Sequence, residues 1–327
     1  MSRSAVSGPG RPRLGAVLLV AVAVGLDALI SVWMARVSHQ WLPVQASAAA
    51  PYVDDLFGLE TGIGTFIFLG CAAVMAWTIL FNRAPKYDME DGDPIEGNLR
   101  LEIAWTILPL VIVMLIAAHA IQVSNILATL GPKQRVADGA QALQVAGSGV
   151  ELPAAAAAVT AAATDEDYGP IEVIARQWSW EFVYPGGVRS TELHLPVDRR
   201  VRFKLVSLDV LHGFYIPAFR LKQDLIPGSV LDYSLVPTRE GRYRLRDSMF
   251  SGGYFATNQT DVVVESPEQF RGWLAAAAQQ PLHPGFNAAT DLYRLRLEKG
   301  DRGWATVPPA PPPLVNVSAD PFAHHEA

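Results

Sequence analysis

Three apolar stretches in the first 122 residues constrain the fold of this chain most strongly. Residues 61–81 contain no charged side chain, and residues 101–122 contain one carboxylate, Glu102, and an internal Pro109. A helix needs about 20 apolar residues to cross a bilayer, and soluble helices are rarely apolar all round over such a length. Neighbouring helices satisfy the carbonyl group that a proline frees. The two stretches therefore predict a transmembrane helical hairpin over residues 61–124.

The other apolar stretch, residues 14–35, contains Asp27. A carboxylate near the bilayer centre costs about 2.5–3.5 kcal/mol on insertion scales, which snorkelling or a partner subunit offsets. Three arginines precede the stretch, and Ala46-Ser47-Ala48 follows it with the small residues of a signal-peptidase site. That motif lies too far from the apolar core for typical cleavage. We favour a retained first helix within residues 1–60, with a cleaved signal peptide as the alternative.

Basic residues indicate the orientation of the helices. Arg36 is the only Lys or Arg of the 36–60 loop, whereas the 82–100 loop contains three such residues and the N-terminus contains three arginines. Cytoplasmic loops are enriched in Lys and Arg. The N-terminus and the 82–100 loop are therefore predicted to be cytoplasmic. Everything after residue 124 is predicted to lie outside, in a periplasm or a lumen.

Composition excludes several classes of function. The chain carries 26 basic and 32 acidic residues, and its net charge of −6 argues against a nucleic-acid partner. Half of its residues are hydrophobic, a high share for a soluble protein. Cys71 is the one cysteine and lies in an apolar stretch, so neither an intrachain disulfide nor a Cys-x-x-Cys metal site is possible.

The second half of the chain is more polar, and its sequence pattern changes from one segment to the next. Residues 125–168 are rich in alanine, with glycine and acids, which predicts a flexible linker. Residues 169–282 alternate apolar and polar residues in short runs divided by Pro, Gly and Asp, which is typical of an antiparallel β-sandwich.

Two further segments follow the predicted strands. Ser266 is a good N-cap, so residues 266–280 are predicted to form a helix that closes the domain. Residues 283–327 are expected to be a C-terminal tail, Pro-rich and disordered from Val307. Two histidines near its end are expected to be solvated and not metal ligands.

Three motifs resemble subunit II of the haem-copper terminal oxidases, in the same order and topology. They are IEGNLRLEIAWTILP at 95–109, RQWSWEFVYP at 176–185 and DVLHGFYIPAFRLKQDLIPG at 209–228. The resemblance covers residues 50–280, and the additional first helix looks most like the cyanobacterial members. It implies a transmembrane α-helical hairpin, with an extra N-terminal helix, followed by an all-β cupredoxin-like sandwich.

The loop RDSMFSGGYFATN at 246–258 departs from the family's pattern. There the family carries C-S-E-x-C-G-x-x-H-x-x-M, which together with an upstream histidine holds the dinuclear CuA centre. A gapless alignment retains Gly252 and the upstream His212. The other ligand positions hold Asp247, Met249, Ser251, Phe255 and Asn258. Since the bridging thiolates are missing, the resemblance implies a loop without its metal. His212 is expected to be a hydrogen-bonded structural residue, with a mononuclear copper ligand as the alternative.

The resemblance also implies a role for Glu102. It matches the glutamate through which protons reach a channel of the catalytic subunit. A carboxylate at membrane depth is by default a functional candidate. The alternative is a solvated acid stabilised by the dipole at the start of its helix.

Four other residues match positions near the family's subunit interface or donor-docking surface. Trp178 and Trp180 are expected on one face of a strand at 176–184, and packing in the core or against a subunit is favoured over contact with a donor. Asp209 and Asp224 match acids of the same surfaces. Asp224 is interpreted as a surface turn residue.

The predicted function is that of the non-catalytic subunit II of a proton-pumping oxidase that reduces oxygen to water. Similarity to CuA-less quinol oxidases and to cyanobacterial alternative respiratory terminal oxidases implies that quinol is the donor. The implied partners are catalytic subunit I, which holds the haems and CuB and receives the quinol, subunit III and membrane lipid; this chain carries no cofactor. The membrane would be the plasma or thylakoid membrane of a bacterium. The alternatives are subunit II of a cytochrome c oxidase and a copper-binding cupredoxin electron carrier.

Overall fold

The computed structural model describes residues 14–81, 83, 87, 97–130, 168–300 and 307–316. The chain divides into two compact units. One contains the helical residues up to Leu42 and from Asp54 to Ala120, and the other contains Pro43–Val53 and the residues from Ile121 onwards.

Three long helices lie mostly in the first unit. They are α1 (Leu14–Val37), α2 (Ala50–Phe81) and α3 (Leu99–Leu130). Among the described residues, these are the three helices that are long and apolar enough to cross a membrane. The arrangement is compatible with the predicted hairpin preceded by an extra helix.

Two of these helices are longer than their apolar stretches predict. α2 begins at Ala50 and not near residue 61, because Pro51 lies in its first turn, where a missing N–H is tolerated. α3 continues to Leu130, so the predicted linker at 125–168 is helical at its start. The rest of that predicted linker, residues 131–167, lies outside the described part of the chain.

Small and polar residues determine the contacts of α1. A methyl group on Gly62 of α2 would lie 3.1 Å from the Cβ atom of Ala35, so the glycine permits the close approach of α1 and α2. Asp27 accepts a hydrogen bond from the Ser31 hydroxyl group at 3.4 Å, one turn further along α1. The intramembrane carboxylate therefore has a local partner.

Residues 168–265 form a sandwich of two five-stranded sheets. Their strands in chain order are β1 (Tyr168–Arg176), β2 (Ser179–Val183), β3 (Arg189–Ser190), β4 (Leu193–Pro196), β5 (Val201–Ser207), β6 (His212–Ile216), β7 (Leu221–Leu225), β8 (Val230–Leu235), β9 (Gly241–Asp247) and β10 (Gln259–Glu265). The first sheet has the order β3-β2-β1-β5-β8, and the second has the order β4-β10-β9-β6-β7. Within these sheets, β1 with β5 and β10 with β4 are the parallel pairs; the other neighbours are antiparallel, as predicted.

The core lies between the two sheets and follows the alternation in the sequence. On β5, for example, Val201, Phe203 and Leu205 are buried while the residues between them are not. Successive side chains of a strand point to opposite faces, so alternate residues of each strand face inward. Full burial of one large apolar side chain contributes about 1.5–3 kcal/mol, and this core supplies most of the stability of the sandwich.

The predicted strand at 176–184 is instead a hairpin. Arg176 of β1 pairs with Ser179 of β2, which leaves Gln177 and Trp178 as the turn. The prediction failed because polar and apolar residues alternate from Gln177 to Phe182, across the turn and into β2, and neither glycine nor proline marks the turn. Trp178 and Trp180 are consequently not neighbours on one strand face.

The closing helix is confirmed as α4 (Pro267–Ala278). The Ser266 hydroxyl group accepts a hydrogen bond from the Gln269 backbone N–H at 3.3 Å, and the Gln269 side chain accepts one from the Ser266 N–H at 3.1 Å. This reciprocal capping box satisfies two backbone donors that a helix start leaves open.

The region predicted to be a tail is ordered in its described part. β11 (His283–Pro284) pairs with β12 (Leu314–Val315), and α5 (Ala288–Glu298) lies between them in sequence. Val315 is fully buried, and the Asn316 side chain accepts a hydrogen bond from the Arg189 N–H at 2.9 Å. Disorder from Val307 is therefore a wrong prediction for residues 307–316, because strand pairing and burial outweigh the Pro-rich composition. The two terminal histidines lie outside the described residues.

The second unit also includes the segment that was a candidate signal-peptidase site. Ala46 is fully buried; its N–H donates to the Ala218 carbonyl group at 3.0 Å, and its carbonyl group accepts from the Thr238 N–H at 2.9 Å. The Ser47 hydroxyl group donates to the Phe219 carbonyl group at 2.8 Å. The segment is thus an integral part of the sandwich, which favours the retained first helix.

Candidate functional site

The candidate site lies at one end of the second sheet. The pairing of Phe214 with Asp247 places the end of β9 beside the start of β6, where His212 is located. The loop between β9 and β10 covers this end, and the loop between β5 and β6 contributes Asp209. Topology therefore brings together residues that are distant in sequence.

His212 is fully buried between two carboxylates. Its Nδ1 atom lies 2.7 Å from Oδ2 of Asp247, and its Nε2 atom lies 2.9 Å from Oδ1 of Asp209. A ring nitrogen satisfies a carboxylate only by donating a proton, and both nitrogens donate only in the imidazolium form. The geometry therefore indicates a protonated histidine with a partner at each nitrogen.

Asp247 is the centre of the cluster. Its Oδ2 atom also accepts hydrogen bonds from the Ser251 hydroxyl group at 3.0 Å and the Asn258 side-chain amide at 3.1 Å. Its Oδ1 atom accepts from the backbone N–H groups of Gly213 at 2.8 Å and Met249 at 3.1 Å. A buried carboxylate with this many donors is stabilised in its ionised form.

The ionisation of the cluster follows from these contacts. Burial by itself would lower the pKa of His212, but hydrogen bonds to Asp209 and Asp247, together with their charges, raise this pKa to about 9. For both carboxylates, burial acts to raise the pKa, but the bond to His212 and the backbone donors outweigh it and hold the pKa below its usual value. At neutral pH the cluster contains one cation between two anions.

Two glycines allow the loop to lie this close to the sheet. A methyl group on Gly213 would come within 3.0 Å of the Met249 backbone nitrogen. Gly252 has a φ of +119°, which side chains rarely adopt, and a methyl group there would lie 2.7 Å from the Trp178 ring. The backbone N–H of Asp247 donates to the Asn258 carbonyl group at 3.0 Å and closes the loop at its base.

The structure brings together four of the six candidate copper positions. His212, Ser251 and Asn258 each contact Asp247, whereas the Phe255 side chain is half-buried beside Phe250, with ring centroids 5.2 Å apart. Met249 contributes its backbone N–H, as described above. Sequence reasoning missed Asp209 as a member of this cluster, although its position three residues before His212 in a loop is a signal that could have indicated it.

The two tryptophans are packed inside the chain. Each is 2% exposed. The Trp180 Nε1 atom donates to the Asn258 carbonyl group at 3.1 Å, and the Trp178 Nε1 atom donates to the Ser251 carbonyl group at 3.2 Å. Trp178 packs edge to face on Tyr254 beneath α5. This burial favours packing over contact with a partner for both side chains, and both indoles hold the loop from its inner side.

Asp224 and Glu102 do not contribute to the cluster. Asp224 lies on β7, paired with Gly213, so its interpretation as a turn residue is wrong; the strand continues to the residue before Ile226. Glu102 lies in the first turn of α3, where its side chain is exposed and its N–H donates to the Asn98 carbonyl group at 2.9 Å. This position is compatible with proton uptake and with stabilisation of the helix start.

The donor set of the cluster does not suit a dinuclear copper centre. Carboxylate, hydroxyl and amide oxygens are hard ligands, whereas such a centre requires soft thiolates. The one cysteine of the chain, Cys71, lies on α2. A doubly donating imidazolium has no lone pair for a metal. The residues present therefore do not fit CuA.

The described residues define a membrane-anchored protein with an extramembrane β-sandwich. Residues 35–123 match the family model for the cytochrome c oxidase subunit II transmembrane domain, and residues 185–266 match the model for its periplasmic domain. The chain belongs to the cytochrome c oxidase subunit II family. The prediction of a subunit II of the terminal oxidases is thus confirmed.

Three relatives illustrate the range of this family. A cytochrome c oxidase subunit 2 from Thermostichus vulcanus is 34% identical over 75% of this chain and 80% of its own length. A cytochrome c oxidase subunit 2 from Synechocystis is 32% identical over 82% of this chain and 84% of its own length. A quinol oxidase subunit 2 from Bacillus subtilis is 25% identical over 68% of this chain and 61% of its own length. Both donor types therefore occur among the relatives.

Proposed function

We propose that this chain is the non-catalytic subunit II of a proton-pumping haem-copper oxidase that takes its electrons from quinol. The observation that carries the proposal is the contact of both His212 nitrogens with carboxylates, at 2.7 and 2.9 Å. The histidine that would bind copper in the family is here the cation of an ion cluster. Its proton supplies the positive charge that pairs with the buried Asp247 and the partly exposed Asp209.

The chemistry of the cluster argues against electron transfer through this chain. Carboxylate, hydroxyl, amide and imidazolium groups do not change oxidation state under physiological conditions, so the loop offers no redox centre. Electrons must then enter through the partner catalytic subunit I, which would hold the haems and CuB and oxidise the quinol. Subunit III and membrane lipid are the other proposed partners, and the charge distribution favours a sandwich on the periplasmic or lumenal side.

A cytochrome c oxidase is the second candidate. The observation that favours it is that the two relatives at 34% and 32% identity are both described as cytochrome c oxidase subunit 2. It requires an electron path that bypasses the loop between β9 and β10. A copper-carrying cupredoxin is opposed by the donor set, which lacks a thiolate in the sandwich.

The test is a donor assay on the complex purified through a tag on this chain. Oxygen consumption is measured with a quinol and with reduced cytochrome c, and copper is quantified per haem in the wild type and in His212→Gln. We expect quinol to support turnover and the copper content to be the same in both. Rapid oxidation of cytochrome c, together with copper that is lost in His212→Gln, would contradict the proposal and support a metal-dependent path.

A further inference from the structure

The Glu102 carboxylate occupies the space that a side chain at position 97 would fill. A methyl group on Gly97 would lie 2.8 Å from Oε1 of Glu102, closer than real Cβ atoms come to a neighbouring heavy atom. Gly97 also has a φ of +152°, which side chains rarely adopt. The carboxylate therefore lies where it does only because residue 97 is a glycine.

The start of α3 explains why the Glu102 side chain reaches Gly97. Asn98 lies directly before the helix, and its Oδ1 atom accepts hydrogen bonds from the N–H groups of Arg100 at 3.1 Å and Leu101 at 3.4 Å, as an N-cap residue does. The Asn98 carbonyl group accepts the Glu102 N–H at 2.9 Å. Side chains of a helix tilt toward its N-terminus, so Glu102 is directed back over the residue before the cap.

A position deeper along α3 offers the carboxylate less. Thr106 is one turn further into the apolar part, and its hydroxyl group donates to the Glu102 carbonyl group at 2.8 Å, so that proton is already engaged. Ile103 and Ile107 are exposed on the surface of a helix that is apolar enough to cross a membrane. A carboxylate among such residues in a bilayer is costly. The position over Gly97 is therefore the one at which the carboxylate is best solvated.

This position also has a direction relative to the membrane. The basic residues of the 82–100 loop predict that the start of α3 faces the cytoplasm, and the Glu102 side chain is exposed. A carboxylate directed toward Gly97 then faces cytoplasmic water and points away from the apolar part of α3. A group that takes a proton from water must lie within hydrogen-bonding reach of it.

We propose that Gly97 is a positioning residue for proton uptake: because it lacks a side chain, the Glu102 carboxylate lies at the water-facing start of α3. The inference rests on the proposed function, in which the oxidase pumps protons. The alternative is that position 97 requires glycine only for its φ. The two explanations are separable, since strain of the backbone at position 97 does not depend on the length of the side chain at position 102.

The test is a double-mutant cycle in the oxidase complex purified through a tag on this chain. Gly97→Ala is made alone and together with Glu102→Asp, whose shorter side chain withdraws the carboxylate from the added methyl group. Oxygen consumption is measured in the four forms, and haem content and melting temperature report assembly. Gly186→Ala is the matched control: Gly186 has a φ of +89°, and among the described residues an added methyl group there meets nothing within 4 Å beyond its chain neighbours.

We expect Gly97→Ala to slow oxygen consumption about fivefold in the wild-type background and less than about twofold in the Glu102→Asp background. Gly186→Ala should leave turnover unchanged. Equal slowing in both backgrounds, or no slowing in either, would overturn the positioning role and leave proton uptake at Glu102 intact. Full turnover of Glu102→Gln would instead remove proton uptake at Glu102, and the inference with it.

A second measurement requires no substitution. In the full chain, purified in detergent and labelled selectively at glycine and glutamate, a nuclear Overhauser effect should connect the α-protons of Gly97 with the γ-protons of Glu102. Its absence would overturn the inference even if the Gly97→Ala complex failed to assemble.

Discussion

Nδ1 of His212 donates a hydrogen bond to Asp247 across 2.7 Å, in a place where neither side chain has contact with solvent. Burial of a single charge is costly, and a buried pair is tolerated only when its remaining donors and acceptors are satisfied. Asp209 accepts the hydrogen bond of the other ring nitrogen, while Gly213 of β6 and the loop between β9 and β10 supply the remaining donors to Asp247. The stability of the loop should therefore depend on the protonation of one imidazole.

The first prediction concerns pH. The pKa of His212 rises from 6.5 to about 9 on folding, so its contribution is fully present below pH 6.5 and is lost as the pH rises through 9. The loss is on the order of 3 kcal/mol. Melting temperatures of the full chain between pH 6 and pH 9.5 should fall in the wild type and show a flatter profile in His212→Gln.

His194 is the control for this experiment. Burial acts to lower its pKa, but hydrogen bonds to Glu192 and Glu265 outweigh it and raise the pKa above the usual value. This raised pKa adds a contribution of the same sign, so His194→Gln should remove that contribution and leave the loss of stability that His212 causes as the pH rises through 9. An unchanged slope in His212→Gln would show that the cluster is not the titrating element.

The second prediction concerns Asp247→Asn. The substitution preserves shape but removes the charge beside His212, and disruption of a buried pair costs about 3–5 kcal/mol. We expect a loss of this size in thermal unfolding and a lower pKa of the His212 imidazole by NMR. Asp224→Asn, on the neighbouring β7, should change stability by about 0.5 kcal/mol or less. Equal losses in the two variants would contradict the central position of Asp247.

The third prediction concerns the first helix. Removal of residues up to Ala48 would delete the buried Ala46 and the hydrogen bonds of Ser47 to the sandwich. The intact mass of the chain isolated from membranes should therefore include α1. Ala48→Leu, which blocks signal peptidase, should show the wild-type mass apart from the substitution. A wild-type N-terminus at Ala49 would instead establish cleavage.

The fourth prediction concerns proton uptake. In the assembled oxidase, Glu102→Gln should slow oxygen reduction at least about tenfold, because an amide does not transfer the proton. Glu102→Asp should be milder, since an acid remains. Glu60→Gln on α2 is the matched control and should leave turnover unchanged. Full activity of Glu102→Gln would assign Glu102 to the helix start alone.

Local patterns predicted the helices and most of the strands, because apolar length and period-two alternation act over neighbouring residues. They did not predict the turn at Gln177-Trp178, since alternation continues through it. They also missed α5, whose N-cap, Asn287, follows a Pro- and Gly-containing stretch that resembles a tail. Contacts between residues distant in sequence place this region on the sandwich: Asn316 is hydrogen-bonded to Arg189, and Ala289 packs in one cluster with Trp178.

The candidate site was predicted in part for a similar reason. Aligning the loop with the family's pattern found His212, Asp247, Ser251 and Asn258, and the structure places them in contact. It gave no indication that these residues would form an ion cluster with Asp209. Which donors meet which acceptors depends on the fold of the loop over β6, and a substitution pattern does not contain that information.

The dense bonding around Asp247 has a consequence for natural selection. If a cysteine replaced Asp247, the backbone N–H groups of Gly213 and Met249 and the Asn258 amide would exchange two carboxylate oxygens for one weakly accepting sulfur. A stepwise route to a metal-binding loop that begins at Asp247 would therefore cost stability before the ligand set was complete. Once a lineage has acquired this cluster, loss of stability opposes its replacement by copper ligands, whatever donor its oxidase uses.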